Sequence, residues 1–156
     1  MKTGHELAMT LRAAYLALHR QTDACLAKGG VTADQFVLLA TLAQADAVTQ
    51  QELVRRVGSD PSTMRAMLLL LEGRGLVARE RHPDDGRARC VTLTDKGRRL
   101  FKKLWTRSEP LRARLLDAFR PDELIALVEL LGRIAEVMAP PARNGNRSTK
   151  GKEARR

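Results

Sequence analysis

Leu7, Leu11, Ala14, Tyr15, Leu18, Thr22 and Leu26 follow one another at steps of three and four residues. That spacing traces one face of a long amphipathic helix. "KGGVT" ends it, because Gly29 or Gly30 can take a left-handed conformation. Thr32 with Gln35 three residues on has the form of a capping box and opens a second helix, apolar from Phe36 to Leu42. Thr49 and Glu52 repeat the box ahead of a short helix, "QQELVRRVG", which Gly58 closes. In "SDPSTMRAMLLLLEGRG", Ser59 or Asp60 caps, Pro61 suits the first helical turn, and Gly73 or Gly75 stops the helix.

The period then changes. "LVARER" and "RCVTLT" are short runs of β-branched and charged residues on either side of "HPDDGRAR", whose Pro, Gly and acids suit a turn. A β-hairpin with an exposed basic tip is predicted. From Thr94 the helical period returns, with Leu100, Leu104, Leu111, Leu115 and Phe119 on the face of a long helix from about Asp95 to Phe119. Pro110 is expected to kink it. Pro121 opens a last helix striped by Leu124, Leu127, Val128, Leu131, Ile134, Ala135 and Met138.

Two short helices around the tight "VGSD" turn outline a helix-turn-helix, and the hairpin that follows completes a winged helix. The predicted fold is therefore mainly α with a small β-hairpin wing: a winged helix-turn-helix with N- and C-terminal dimerisation helices. Residues 1–138 form a single fold, in which about 32–94 bind DNA and about 5–28 and 95–138 dimerise. In winged helices the second helix enters the major groove, and the wing lies along the backbone or in the minor groove. The outer helices keep apolar stripes that need a partner. A two-fold homodimer would set two recognition helices about 34–36 Å apart, in successive major grooves.

Composition narrows the partner. Of the 156 residues 44% are hydrophobic, enough for a globular body, but only 3% are aromatic, which argues against stacking platforms for single strands. A net charge of +10 favours a polyanion, nucleic acid or an anionic membrane surface. No run approaches the roughly 18 apolar residues of a membrane span and no signal peptide is visible, so a cytoplasmic protein without a membrane partner is expected. Residues 139–156 hold six of the 28 basic residues and one of the 18 acidic ones, without an apolar pattern. They read as a disordered basic tail. Two cysteines are too few for a disulfide scaffold. With no phosphate loop, nucleophile motif, supported acid–base pair or metal-ligand spacing, neither an enzyme nor a cofactor is expected.

"LVRRVGSDPSTMRAMLLLLEGRGLVARERHPDDGRARCVTLTDKG", residues 53–97, resembles the multiple antibiotic resistance regulator (MarR) family of bacterial transcription factors. "LEGRGLV", Asp85-x-Arg87 and "VTLTDKG" carry the resemblance, and the helix order agrees over residues 5–138. It implies a homodimeric winged-helix repressor on a double-stranded operator, released by a small-molecule effector or by oxidation. It implies that Arg87 enters the minor groove and that Asp85 holds the wing in shape. Gly86 stands where members often carry a further arginine. Arg89 is placed in support of Arg87.

On the recognition helix Met64, Met67, Leu68 and Leu71 share a core-facing side, leaving Ser62, Thr63, Arg65 and Ala66 at the exposed start. Arg65 can fork onto guanine or hold a phosphate. Ser62 and Thr63 suit phosphate contact or backbone capping. Leu69 and Leu70 are left open between exposure, thymine methyl contact and packing. Arg74, Arg79 and Arg81 flank the wing, with Lys96, Arg98 and Arg99 beside it, and Arg74 is taken as a DNA contact. The resemblance puts the effector cleft between dimerisation helices and winged helix, where Arg12, Tyr15 and His19 can bind an aromatic carboxylate or a larger acyl derivative. Two alternatives remain: a thiol-based redox sensor using Cys25 or Cys90, both read as buried small hydrophobes, and a non-specific architectural DNA binder.

Overall fold

Side-chain caps start most of the helices, and left-handed glycines stand at three of the turns that follow them. The computed structural model describes residues 3–45, 47–81, 84 and 89–139. They fall into two units, Met1–Leu115 and Leu116–Arg156. Thr3 accepts a hydrogen bond from the Glu6 amide and starts α1 (Gly4–Leu26). A short 3-10 turn, Ala27–Gly29, follows, and Gly30 rather than Gly29 takes the left-handed conformation at φ 64°. The capping box of α2 (Ala33–Ala43) is complete: the Gln35 amide donates to Thr32 Oγ1, and the Thr32 amide donates to Gln35 Oε1, both at 3.2 Å.

Thr49 likewise caps α3 (Gln50–Val57) through the Glu52 amide. The second half of the expected box is not made, because the Glu52 carboxylate is turned onto Arg55 and Arg56. Gly58 ends α3 at φ 69°. Asp60, not Ser59, caps α4 (Pro61–Gly73). At its far end Gly75, not Gly73, supplies the left-handed residue, at φ 69°. The Gly75 amide bonds the Glu72 carbonyl at 2.8 Å and the Leu76 amide bonds Leu71 at 2.9 Å. This is the Schellman arrangement, and it explains both the glycine and the leucine of "GRGLV".

A three-stranded antiparallel sheet joins these helices to the wing. β1 (Val48–Thr49) pairs with β3 (Arg89–Leu93), which pairs in turn with β2 (Val77–Arg81). The hairpin was expected, whereas β1, with two residues and no readable period, was not. Its register sets Val48 against Val91 and Thr49 against Cys90, so the start of α3 is fastened to the wing's return strand.

The long helix expected to run to Phe119 is interrupted rather than kinked. α5 (Asp95–Arg107) and α6 (Glu109–Leu116) are separated at Ser108. Pro110 cannot continue the hydrogen-bond ladder, and it falls in the first turn of α6, where a missing N–H is tolerated. Ser108 is buried, and its hydroxyl donates to the Trp105 carbonyl at 3.0 Å. In the second unit, α7 (Pro121–Met138) opens with the Arg120 amide bonded to the Glu123 carboxylate at 2.9 Å.

The core of the first unit is aliphatic, as the low aromatic content requires. Leu26, Leu38, Leu39, Leu42, Leu53, Leu68, Leu71 and Leu76 are fully enclosed, each contributing about 1.5–3 kcal/mol through burial. Phe36, Phe101 and Trp105 stack at its edge. Met64, Met67, Leu68 and Leu71 form the buried side of α4, as predicted, and Leu69 and Leu70 face outward at 53% and 60% exposure. Thr94 caps α5 through the Gly97 amide, and its hydroxyl also donates to the Gly75 carbonyl at 2.7 Å. Gly97 is buried here because α5 crosses directly over the backbone of Leu76: a Cβ would fall inside van der Waals contact of the Leu76 carbonyl oxygen. Among the described residues no helix is long and apolar enough to cross a membrane.

Candidate nucleic-acid interface

The site begins at the turn between α3 and α4. Asp60 Oδ1 accepts from the Ser62 and Thr63 amides at 2.9 Å each, and Oδ2 accepts from the Thr63 hydroxyl at 2.6 Å. The Thr63 hydroxyl above all, then the amides, holds the Asp60 carboxyl below its ordinary range. Thr63 is thus a capping partner, one of the two roles expected for it. The cap orders the first turn of α4, whose Ser62, Thr63, Arg65 and Ala66 are all exposed while the opposite side is buried. Arg65 has no ion-pair partner among the described residues.

The other candidate arginines have diverse surroundings. Arg74 sits at the C-cap of α4, its guanidinium donating to the Gly30 carbonyl at 2.5 Å and to Gly29 at 3.3 Å. It ties the α1–α2 connection to the end of the recognition helix. Arg79 is partly buried, with Nε 3.3 Å from Glu72 Oε2, although the angle gives no hydrogen bond. Arg81 and Arg89 are exposed and directly opposite one another across the hairpin. Like charges in cross-strand register repel, and the pair sets two exposed guanidinium groups together at the root of the wing. Asp85 and Arg87, with Gly86 and His82, lie outside the described residues, as does the basic tail from residue 140 on.

Behind α4, Arg55 and Arg56 are engaged with Glu52 at 2.6 and 2.7 Å. The side-chain hydrogen bonds from Arg55 and then Arg56 bring the Glu52 carboxyl down from 4.5 to about 2. A carboxyl with a lowered folded-state value stabilises the fold above its unfolded value, and that contribution is lost as pH falls through the folded value. Glu52→Gln should therefore flatten the fall in Tm between about pH 5 and pH 2 by scanning calorimetry. Parallel acid limbs for variant and wild type would rule the pairing out.

Of the effector candidates, the structure brings two together. The Tyr15 hydroxyl is 3.5 Å from His19 Nδ1, and the rings are 5.5 Å apart. His19 also lies 3.3 Å from Asp23 and 3.9 Å from Asp34. Tyr15 borders a cavity of about 510 Å³ whose other walls include Asp34, Ser59, Asp60, Thr63 and Met67. It reaches from α1 to the cap of the recognition helix. Arg12 is exposed on α1 and does not line this cavity. The sequence marks Asp60 only as a helix cap and does not single out Asp34, because the cavity joins separate elements. Cys90 is buried, its thiol directed at the Glu80 and Arg81 carbonyls, whereas Cys25 is half-buried with Sγ 3.5 Å from the Arg107 carbonyl. Among the described residues no group of His, Cys, Asp and Glu is arranged to hold a metal.

A family model described as the MarR family matches residues 31–88. The chain is 30% identical over 105 residues to the uncharacterized HTH-type transcriptional regulator YdgJ of Bacillus subtilis, spanning 67% of this chain and 64% of that protein. Among solved structures it is similar to the transcriptional repressor CouR bound to a 23-mer DNA duplex, at 32% identity and TM-score 0.72, covering 86% of this chain and 98% of that one. It is also similar to BpsR of Bordetella bronchiseptica, whose DNA binding is regulated by 6-hydroxynicotinic acid. There the identity is 27% and the TM-score 0.75, over 87% of this chain and 97% of that one.

Proposed function

Because the chain belongs to the MarR family of DNA-binding transcriptional regulators, we propose that it is a repressor that binds a pseudo-palindromic operator as a homodimer and is released by a small aromatic acid or a related acyl ligand. The observation that carries this reading is the presentation of α4: its inner side is locked into the core, and Ser62, Arg65 and Ala66 stand free on its first turns. The two guanidinium groups of Arg81 and Arg89 at the wing root support a second contact. Arg87 would extend it into the minor groove, where narrow geometry strengthens the attraction for arginine.

Support for a second subunit comes from apolar surface. Leu7, Leu11, Tyr15 and Leu18 on α1 are 36–57% exposed, and α7 has no buried residue, with Ile125 and Val128 above 60%. Stripes of this kind are the surface from which homodimers are built. The effector reading rests on the Tyr15 cavity, since an occupant there would touch the cap of α4 directly. A carboxylate ligand would have to displace Asp34 from His19.

The test is fluorescence anisotropy of the full chain on its own upstream intergenic DNA and on scrambled DNA, over a salt series, with Arg87→Ala alongside. Operator preference of roughly 10³-fold or more is expected, falling steeply with salt and weakened by the substitution. Equal binding to both DNAs, unchanged by Arg87→Ala, would instead favour non-specific binding through the basic tail.

A further inference from the structure

The outer side of α4 carries one bulky apolar side chain on a line of small ones. At about 100° per residue, Ser62, Ala66, Leu69 and Gly73 fall within about 60° of one another, opposite the buried side of the helix. Three of the four are small, and Leu69 stands above them at 53% exposure. A Cβ on Gly73 would meet nothing within 4 Å, so the line stays open past Leu69. Leu70 is exposed as well, but it projects about 100° further round the helix. The exposed Arg65 borders the same line one turn before Leu69.

We infer that Leu69 packs on the 5-methyl group of an operator thymine and sets a base preference of its own beside that of Arg65. The inference rests on α4 being the recognition helix, as proposed above. Two features favour a major groove over a protein surface as the occupant. Leu69 continues the exposed first turns that carry Ser62 and Arg65, and Glu72, the one acid in α4, lies 3.3 Å from Arg79. The side chains on this line therefore set no carboxylate against a phosphate-lined groove. Protein interfaces are marked instead by large contiguous apolar patches, which one leucine among Ser62, Ala66 and Gly73 does not make. In the major groove only thymine presents a methyl group. Leu69 lies four residues beyond Arg65, about 6 Å along the helix axis, which is about two base-pair steps of 3.4 Å. The thymine it meets is thus about two base pairs from the position that faces Arg65.

The test selects a duplex from a random pool with the full-length protein and then replaces each thymine in turn by deoxyuridine. The replacement removes the 5-methyl group and keeps every hydrogen-bonding group. Affinities are read by fluorescence anisotropy for wild type, Leu69→Ala, Leu69→Met and Leu70→Ala. Wild type should lose about fourfold at one thymine of each half-site, the equivalent of one buried methyl group. Leu69→Ala should bind the thymine duplex more weakly by at least that factor and should not respond to the replacement, so the two losses are coupled. Leu69→Met keeps an apolar side chain and should keep the response, and Leu70→Ala should give the wild-type pattern. Both leucines are exposed, so the Tm of each variant should match wild type.

The inference is overturned if no thymine responds in wild type, if Leu69→Ala responds as wild type does, or if Leu70→Ala abolishes the response equally. It is also overturned if Leu69→Ala changes the sedimentation of the DNA-free protein, which would make this line an interface between copies of the chain. A pool from which no sequence is enriched would remove the recognition-helix reading and this inference with it. An enriched sequence indifferent to loss of its methyl groups would remove the Leu69 contact alone.

Discussion

Gly97→Ala is expected to lower the unfolding free energy by about 3 kcal/mol, a large share of the roughly 5–15 kcal/mol typical of a domain. The added methyl would press on the Leu76 carbonyl and on Leu93. The Leu76 backbone cannot yield cheaply. Its amide is bonded to Leu71 in the Schellman turn, and its carbonyl accepts from the Thr94 amide at 3.2 Å. The usual gain of alanine over glycine in a helix, up to about 1 kcal/mol, is outweighed. Gly73→Ala is the matched control, since a Cβ there meets nothing within 4 Å. Urea unfolding followed by circular dichroism should show a much lower midpoint for Gly97→Ala and an unchanged or slightly raised one for Gly73→Ala. Coincident midpoints would mean that α5 does not cross Leu76 this closely.

Arg65→Ala should cost about 1–3 kcal/mol of operator affinity, roughly 5- to 150-fold, without changing Tm. Arg65 is exposed on the outer side of α4 and has no ion-pair partner among the described residues to lose. The form of the loss identifies its contact. If it forks onto a guanine, the variant tolerates substitution at one operator base pair and the salt slope barely moves. If it holds a phosphate, all sequences weaken alike and the slope drops by about 1. Competition with singly substituted operators separates the two. No loss on any sequence would mean that the first turns of α4 do not face DNA.

What was legible in the sequence was local. Thr32 with Gln35, Gly58 and Pro61 marked helix ends through chemistry that acts within four residues. The 3.6-residue period separated the buried side of α4 from Ser62 and Arg65. The missed features depend on elements distant in the chain. β1 is visible only as a partner of Val91 and Cys90. Pro110 announced a disturbance, but the break at Ser108 depends on the buried hydroxyl and on Arg112 stacking over Trp105 at 3.7 Å. Tyr15 and His19 are one helical turn apart and could be paired on paper. Asp34 and Asp60 could not, nor could the bonds from Arg74 to a turn 44 residues earlier. The "TDKG" glycine reads as a helix-start residue until α5 is seen over Leu76.

Arg81 and Arg89, facing each other across the base of the hairpin, give ionic strength two opposite effects on one ribbon. In the free protein, added salt screens their repulsion and makes the two strands easier to hold together. Under the proposed repressor reading, in which these arginines meet phosphate, the same ions compete with them there and the complex loosens. Amide exchange along Val77–Arg81 should therefore slow with salt in the free protein while operator affinity falls over the same range. In that reading a duplex sets phosphate beside this facing arginine pair, so docking and tightening of the wing would be one thermodynamic event.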